Sequence, residues 1–265
     1  MFDPTAVQAA AEAPRGPHLL ALLAGIWFRP RRTLRAVAQG PGWLWAVPFL
    51  VALALAGGLA FAAAPARDAQ QRAQSAAMAA ARQQELPPEL RASPEEAANV
   101  PEPSRVLTLW LPFVIAAAGI LFGWLLRAAV LHVSSMALGG QQGYSAVYRA
   151  SAWATFPLLL RSAVQLVYVL VTGELVAGSG LSGLWGTPLA APEQTASPVL
   201  SIPAILLGRV DLYTVWYVIL LGVAVAAAGR LSRGKAAAVV IIYILLSLLV
   251  GLGQLLTQGF MGGLS

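Results

Sequence analysis

One charged side chain lies inside an apolar stretch of the chain. Arg161 is the single charge in the run 150–173, where Pro157 precedes it and Gln165 follows one helical turn later. A charge at the centre of a bilayer costs about 2.5–3.5 kcal/mol on insertion scales, so it usually faces a protein interior or a wet cavity. These three residues define a candidate intramembrane polar site for a lipid headgroup or an anionic solute. The structural alternative is an arginine that reaches the membrane surface or binds carbonyls freed by the proline.

No carboxylate is predicted at the depth of Arg161. Glu174 and Asp211 come at the two ends of the following polar loop, so both are placed near the outer boundary of the membrane. At a rise of 1.5 Å per residue, that boundary lies about 18 Å from Arg161. The sequence therefore predicts an arginine without an acidic partner.

Catalytic and metal-binding chemistry has no comparable support. The chain has no cysteine, which excludes thiol catalysis and thiolate metal sites. His18 and His132 lack the spacing of metal ligands, and no acid lies near His132 in sequence to act with it. Glu95 and Glu96 are adjacent, so on a helix they point away from each other. We therefore predict a protein that is not an enzyme and needs no metal or cofactor.

A second candidate site is a group of arginines beside a short apolar segment. Residues 19–28 are apolar, but ten residues are too few to cross a bilayer. With the basic stretch that follows, residues 19–40 are typical of an amphipathic helix lying at an anionic membrane surface. The alternative is that the positive charge only anchors the first span. The candidate contacts to anionic lipid are Arg29, Arg31, Arg32 and Arg35.

The elements that must position these residues are membrane helices. The composition is 58% hydrophobic and 11% charged, which excludes an ordinary soluble domain. An uncharged run of about 18 residues or more can cross the roughly 30 Å hydrocarbon core as a helix. Five apolar runs of this length, four of them uncharged and one with Arg161 inside it, predict an all-α polytopic transmembrane bundle, with spans at about 41–64, 106–126, 150–173, 212–229 and 236–256.

Polar segments divide the chain around these spans. Residues 1–18 are predicted to be a disordered tail, 19–40 the interfacial segment and 41–258 the membrane domain. Residues 66–105 are interpreted as an external insert with one or two short helices, and 174–209 as an external loop rich in Gly, Pro and Ser. The apolar face of the insert is mostly alanine, which favours a solvated connector over a docking module.

The distribution of charge predicts the orientation. With the N-terminus inside, the inner segments hold ten cations and two acids, whereas the outer segments hold six arginines and nine acids. This asymmetry follows the positive-inside rule, so the N-terminus is predicted to be cytoplasmic and the C-terminus outside. The cations lie at the ends of apolar runs instead of along one face, which argues against nucleic-acid binding. Abundant Arg, Ala and Gly favour a bacterial host and hence the bacterial inner membrane.

Several short motifs follow one another in a recognisable order. They are Ile-Trp-Phe-Arg-Pro at 26–30, Leu-Gly-Gly at 138–140, Gly-Tyr-Ser at 143–145 and Asp-Leu-Tyr-Thr-Val-Trp at 211–216. Their order and spacing resemble the Yip domain family, named for Ypt/Rab-interacting proteins, over about residues 20–253. The matching positions, expected to be structural landmarks more than reactive groups, are Pro30, Gly139, Gly140, Gly143, Tyr144, Ser145, Asp211, Trp216 and Lys235.

The resemblance implies a five-span plan with the N-terminus inside and the C-terminus outside. Eukaryotic members act in vesicle trafficking and contact Rab-type GTPases and other Yip proteins. We therefore predict a multi-pass protein that organises or adapts membrane proteins and lipids. Its expected partners are the bilayer, with anionic lipid at the cytoplasmic face, and further copies of itself or other membrane proteins. The alternative is a permease, or the membrane subunit of a transporter, with a polar pocket around Arg161.

Overall fold

The computed structural model describes residues 18–85, 110–174 and 211–262, and every regular element in these ranges is helical. This confirms the all-α prediction. The predicted disordered tail, the second half of the predicted insert and nearly all of the predicted loop 174–209 lie outside the described residues. A 3₁₀ turn at Gly42–Trp45 precedes the third of the described helices. In chain order these are α1 Leu19–Phe28, α2 Pro30–Gln39, α3 Ala46–Ala62, α4 Ala64–Glu85, α5 Leu111–Ala137, α6 Tyr144–Trp153, α7 Phe156–Thr172, α8 Leu212–Gly229 and α9 Arg233–Gly262.

Within the described residues, five helical segments are long and apolar enough to cross a membrane, which confirms the predicted five-span class. Many of their large side chains are exposed in the chain itself, including Phe122 at 70% and Val171 at 80%. Apolar surface of this extent is typical of contact with lipid. The segments are Gly42–Ala62, Phe113–Ala137, Tyr144–Thr172, Leu212–Gly229 and Arg233–Gly251.

Two of these segments differ from the apolar runs predicted from the sequence. α5 continues through Arg127 to Ala137, so a charge lies inside the second span. The third segment is interrupted, because α6 ends at Trp153 and α7 begins at Phe156. Pro157 lacks a backbone N–H and is accommodated in the first turn of α7, where no partner is needed.

The chain packs as two compact units, which take different parts of the same helices. The first unit comprises Met1–Pro48, Trp124–Phe156 and Trp216–Ser265, and the second comprises Phe49–Gly123 and Pro157–Val215. Each unit therefore gathers residues that are distant in sequence.

In the first unit, α2 packs against α1 and α6. The indole of Trp153 is fully buried, and its N–H donates to the Leu44 carbonyl at 2.8 Å. A side chain at Gly25 would overlap the Thr33 hydroxyl, so glycine allows α1 to approach α2 closely. The basic helix α2 and its contacts with α6, described below, depend on this packing.

In the second unit, two adjacent glycines of α3 lie against neighbouring helices. A Cβ at Gly57 would stand 3.2 Å from the ring of Phe113, and one at Gly58 would stand 2.9 Å from Leu166. Small residues permit this close packing between helices in lipid. The glycine pair thus places α3 beside α5 and α7.

Candidate functional site

Arg161 has an acidic partner, so the prediction of an unpaired intramembrane arginine is wrong. Its Nη1 lies 2.9 Å from Asp211 Oδ2 in the second unit, and the exposed fractions of the two side chains are 32% and 15%. The depth estimate counted residues along the helix of Arg161 alone, and it did not take into account where the next helix, α8, begins beside it.

Asp211 also caps α8. Its Oδ1 accepts the backbone N–H of Thr214 at 2.6 Å, as an N-cap residue does for the third helical position. Partial burial by itself would raise the pKa of Asp211. The hydrogen bonds from Arg161 and Thr214, with the nearby guanidinium charge, outweigh that effect and hold the pKa below its ordinary value.

The other two residues of the predicted site do not join this pair. Pro157 is buried in the first turn of α7. Gln165 is half-buried and makes no hydrogen bond to any residue in the described ranges. The polar cluster therefore consists of Arg161, Asp211 and Thr214, and it joins α7 to the start of α8.

Asp211→Asn is expected to lower the free energy of unfolding by about 1–3 kcal/mol at pH 7, because it removes a charge-assisted bond. A carboxyl with a lowered pKa contributes stability that is complete above its unfolded value near 3.9 and is lost as pH falls through the folded value. Melting temperatures of both proteins, measured in detergent from pH 7 to pH 3, should therefore converge at acid pH. A gap of constant size down to pH 3 would contradict the assignment.

The predicted lipid contacts lie on one side of α2. Its apolar face is buried, whereas the arginines at 29, 31, 32 and 35 are exposed. Beside them, α1 exposes 80% of Leu20 and 84% of Phe28. α1 and α2 thus expose basic and apolar side chains next to each other, as interfacial segments do.

The electrostatic environment of α2 is strongly positive. Among its described residues, the first unit contains nine cations and no Asp or Glu. Negative charge able to balance them is absent from the described part of the unit, so anions outside it are attracted. The cations are Arg29, Arg31, Arg32, Arg35, Arg127, Arg149, Arg230, Arg233 and Lys235.

Sequence reasoning missed a second membrane-embedded arginine. The predicted second span ends at 126 and Arg127 is counted with the inner cations, on a helix that can continue towards Met136. In the structure Arg127 lies well inside α5 and is only 8% exposed. Nη1 donates to the Tyr217 hydroxyl at 3.2 Å and Nη2 to the Ser151 carbonyl at 3.3 Å. The guanidinium also lies 5.6 Å from the centre of the Trp124 ring.

The break between α6 and α7 explains why a carbonyl is free for Arg127. In a continuous helix the N–H of Thr155 would donate to Ser151, but here it donates to Ala152 at 3.2 Å. The carbonyl end of a helix attracts positive charge. Arg127 therefore compensates the interrupted end of α6 inside the membrane segment. A proline near the middle of one apolar run and an arginine within another were the sequence signals for this contact.

A comparison with family models is decisive for the class of protein. The model described as the Yip1 domain matches residues 24–255. The chain belongs to the Yip1 domain family. No curated protein and no solved structure matches it.

In this Yip1 domain the Gly-Gly motif ends α5. Gly139 has a φ of +87°, and the N–H groups of Gly139 and Gly140 donate to the carbonyls of Met136 and Ser135 at 3.0 and 2.8 Å. This pair of bonds is a Schellman motif, in which glycine adopts the left-handed conformation. Lys235 Nζ donates to the Leu138 carbonyl at 2.9 Å. Gly139, Gly140 and Lys235, which the sequence predicted as positions matching the family, thus lie where the end of α5 meets the start of α9.

The remaining positions predicted to match the family also lie near helix ends. Pro30 is the first residue of α2, and Gly143 is the N-cap of α6. The Tyr144 hydroxyl donates to the Leu125 carbonyl at 2.9 Å, whereas Ser145 is exposed. Trp216 is half-buried in α8, and its indole N–H has no partner in the described chain. Asp211, the last of these predicted positions, precedes α8 and is paired with Arg161.

Proposed function

We propose that this Yip1-domain protein is a non-enzymatic organiser of membrane proteins and lipids that engages anionic phospholipid at the cytoplasmic surface. The observation that carries the proposal is the exposed arginine face of α2 beside the exposed Leu20 and Phe28 of α1. An anionic leaflet attracts basic segments by about 1 kcal/mol for each Lys or Arg near its surface. Aromatic side chains such as Trp27 and Trp43, which are 37% and 54% exposed, are suited to the interface.

The proposal includes an orientation and a place. The N-terminus lies in the cytoplasm and the C-terminus outside, in the bacterial inner membrane. The charge asymmetry of the polar segments supports this orientation. In this arrangement residues 19–40 are the interfacial segment, 41–258 the membrane domain and 66–105 an external insert.

Arg31→Gln/Arg32→Gln/Arg35→Gln is expected to weaken the binding of phosphatidylglycerol by tenfold or more, because three charges near the leaflet are lost. The measurement is lipid binding to the purified protein in detergent by native mass spectrometry, with phosphatidylcholine as the uncharged reference. Arg67→Gln/Arg72→Gln is a control on α4, where both side chains are exposed. Equal phosphatidylglycerol binding by all three proteins would overturn the lipid assignment.

Recovery of the protein at native expression level tests the organiser role itself. After extraction in mild detergent, the organiser should co-purify with itself, with anionic lipid or with other membrane proteins. A stoichiometric ATPase or solute-binding protein would instead support the permease alternative. The structure does not favour that alternative, because Asp211 already compensates the charge of Arg161.

A further inference from the structure

Three side chains of α6 contact residues 37–45, the segment that follows the exposed arginines of α2. Arg149 donates from Nε to the Val37 carbonyl at 3.2 Å and from Nη2 to the Ala38 carbonyl at 2.7 Å. One helical turn later, Trp153 donates to the Leu44 carbonyl. The ring of Tyr148 lies 5.8 Å from that of Trp45. All these residues belong to the first unit.

α2 needs such support because it is unfavourable as an isolated helix. It has ten residues, fewer than the 12–15 or so at which a lone helix is even marginally stable in water. Arg29 is its N-cap, and Arg31 and Arg32 lie in its first turn, where the helix dipole repels cations. Arg31 and Arg35 are four residues apart and repel each other.

Arg149 offsets these costs at the other end of α2. The last carbonyls of a helix have no N–H partners within it, and a cation there is favourable. The Val37 carbonyl accepts the N–H of Gly40 at 3.2 Å as well as the Arg149 guanidinium. A planar guanidinium can bind two carbonyls at once, which a single ammonium group does less well. Arg149 is half-buried on α6, so the same residue ties the basic helix to the third membrane segment.

We propose that Arg149 is a positioning residue for an anionic-phospholipid site, holding α2 so that Arg29, Arg31, Arg32 and Arg35 face the headgroups as one preformed set. This inference rests on the proposed function and names the residue that orders its site. Since the bound lipid relieves repulsion along α2, lipid binding and the α2–α6 contact support each other, and the coupling is reciprocal. The ligand is a phospholipid with net negative charge.

Arg149→Gln tests the proposal on the full-length protein in detergent, with phosphatidylglycerol and phosphatidylcholine as probes. We expect the ratio of their dissociation constants to move at least fivefold towards unity, although all four arginines of the site remain. Arg149→Lys should give an intermediate ratio. Arg233→Gln is the matched control for the loss of one cation in the same unit, because Arg233 is exposed at the start of α9.

Three outcomes would overturn the proposal. The first is an unchanged ratio in folded Arg149→Gln, even with a lower melting temperature, which would make Arg149 merely structural. The second is an equal change in Arg233→Gln, which would show general electrostatics. If Arg149→Gln does not fold, Arg149→Lys is used for the test instead. The third outcome is then a ratio of dissociation constants in Arg149→Lys that equals the wild-type ratio. The proposed function fails separately, when the triple arginine variant on α2 keeps its phosphatidylglycerol binding.

Discussion

Trp153→Ala is expected to destabilise the protein by about 3–5 kcal/mol, the range for truncating a buried tryptophan. Its side chain is fully buried in the first unit, and its ring centre lies 5.2 Å from that of Phe156. Alanine would leave a cavity between α6 and the 3₁₀ turn. It would also deprive the Leu44 carbonyl of its donor, at an added cost typical of a buried unsatisfied group.

Unfolding in a mixed-micelle denaturant titration measures this loss. Trp153→Phe separates the cost of the cavity from the cost of the lost hydrogen bond, because phenylalanine restores most of the ring volume but not the N–H. A destabilisation of about 1–3 kcal/mol should remain in this variant. Trp43→Ala is the control, since Trp43 is 54% exposed in the same unit. A Trp153→Ala protein within 1 kcal/mol or so of wild type would show that the site collapses without cost.

Arg127→Leu is expected to cost about 2–4 kcal/mol. The two hydrogen bonds donated by the guanidinium, to Tyr217 and Ser151, are worth about 1.5–3 kcal/mol each for a charged donor. This loss of stability is partly offset, because leucine removes a buried charge and its desolvation penalty. The net loss should remain large, since the carbonyl at the end of α6 is left without a donor.

A double-mutant cycle of Arg127→Leu with Tyr217→Phe measures how much of this loss comes from the contact between Arg127 and Tyr217. Tyr217→Phe removes one acceptor and should cost about 1 kcal/mol, and the pair should show coupling because the residues are in contact. The measurement is again the unfolding free energy in mixed micelles. An Arg127→Leu protein at least as stable as wild type would mean that the desolvation penalty exceeds the value of the bonds.

The five membrane segments could be predicted because crossing lipid depends on length and apolar character, which are read directly from the chain. The end of α5 at the Leu138-Gly-Gly motif could also be predicted, since glycine readily adopts the left-handed conformation needed there. The basic stretch of α1 and α2 could be predicted because its arginines and apolar residues are close together in the sequence. In each case the determining property is local to a few residues.

The partners of the buried arginines could not be predicted in this way. Arg161 and Asp211 are 50 residues apart, and Arg127 and Tyr217 are 90 apart. Their meeting depends on how each helix is placed in depth and rotation, and packing against neighbouring helices sets both. The contact of Arg149 with Val37 and Ala38 involves backbone carbonyls, which carry no sequence signature. Charge counting assigned Arg127 to the inner side of the membrane because it assumed that a charge ends a span.

α3 passes into α4 with hardly a break in its hydrogen bonding. The N–H of Ala63 donates to Leu59 and that of Arg67 to Ala63, both at 3.0 Å, and Pro65 occupies the first turn of α4, where it needs no N–H. The 22 residues of α4 are about 33 Å long. In a protein of 27.6 kDa, a helix of this length is a suitable attachment point for a second protein. A helical fiducial protein fused in register to α4 would be joined to α3 through these backbone hydrogen bonds, which gives single-particle microscopy a marker for alignment.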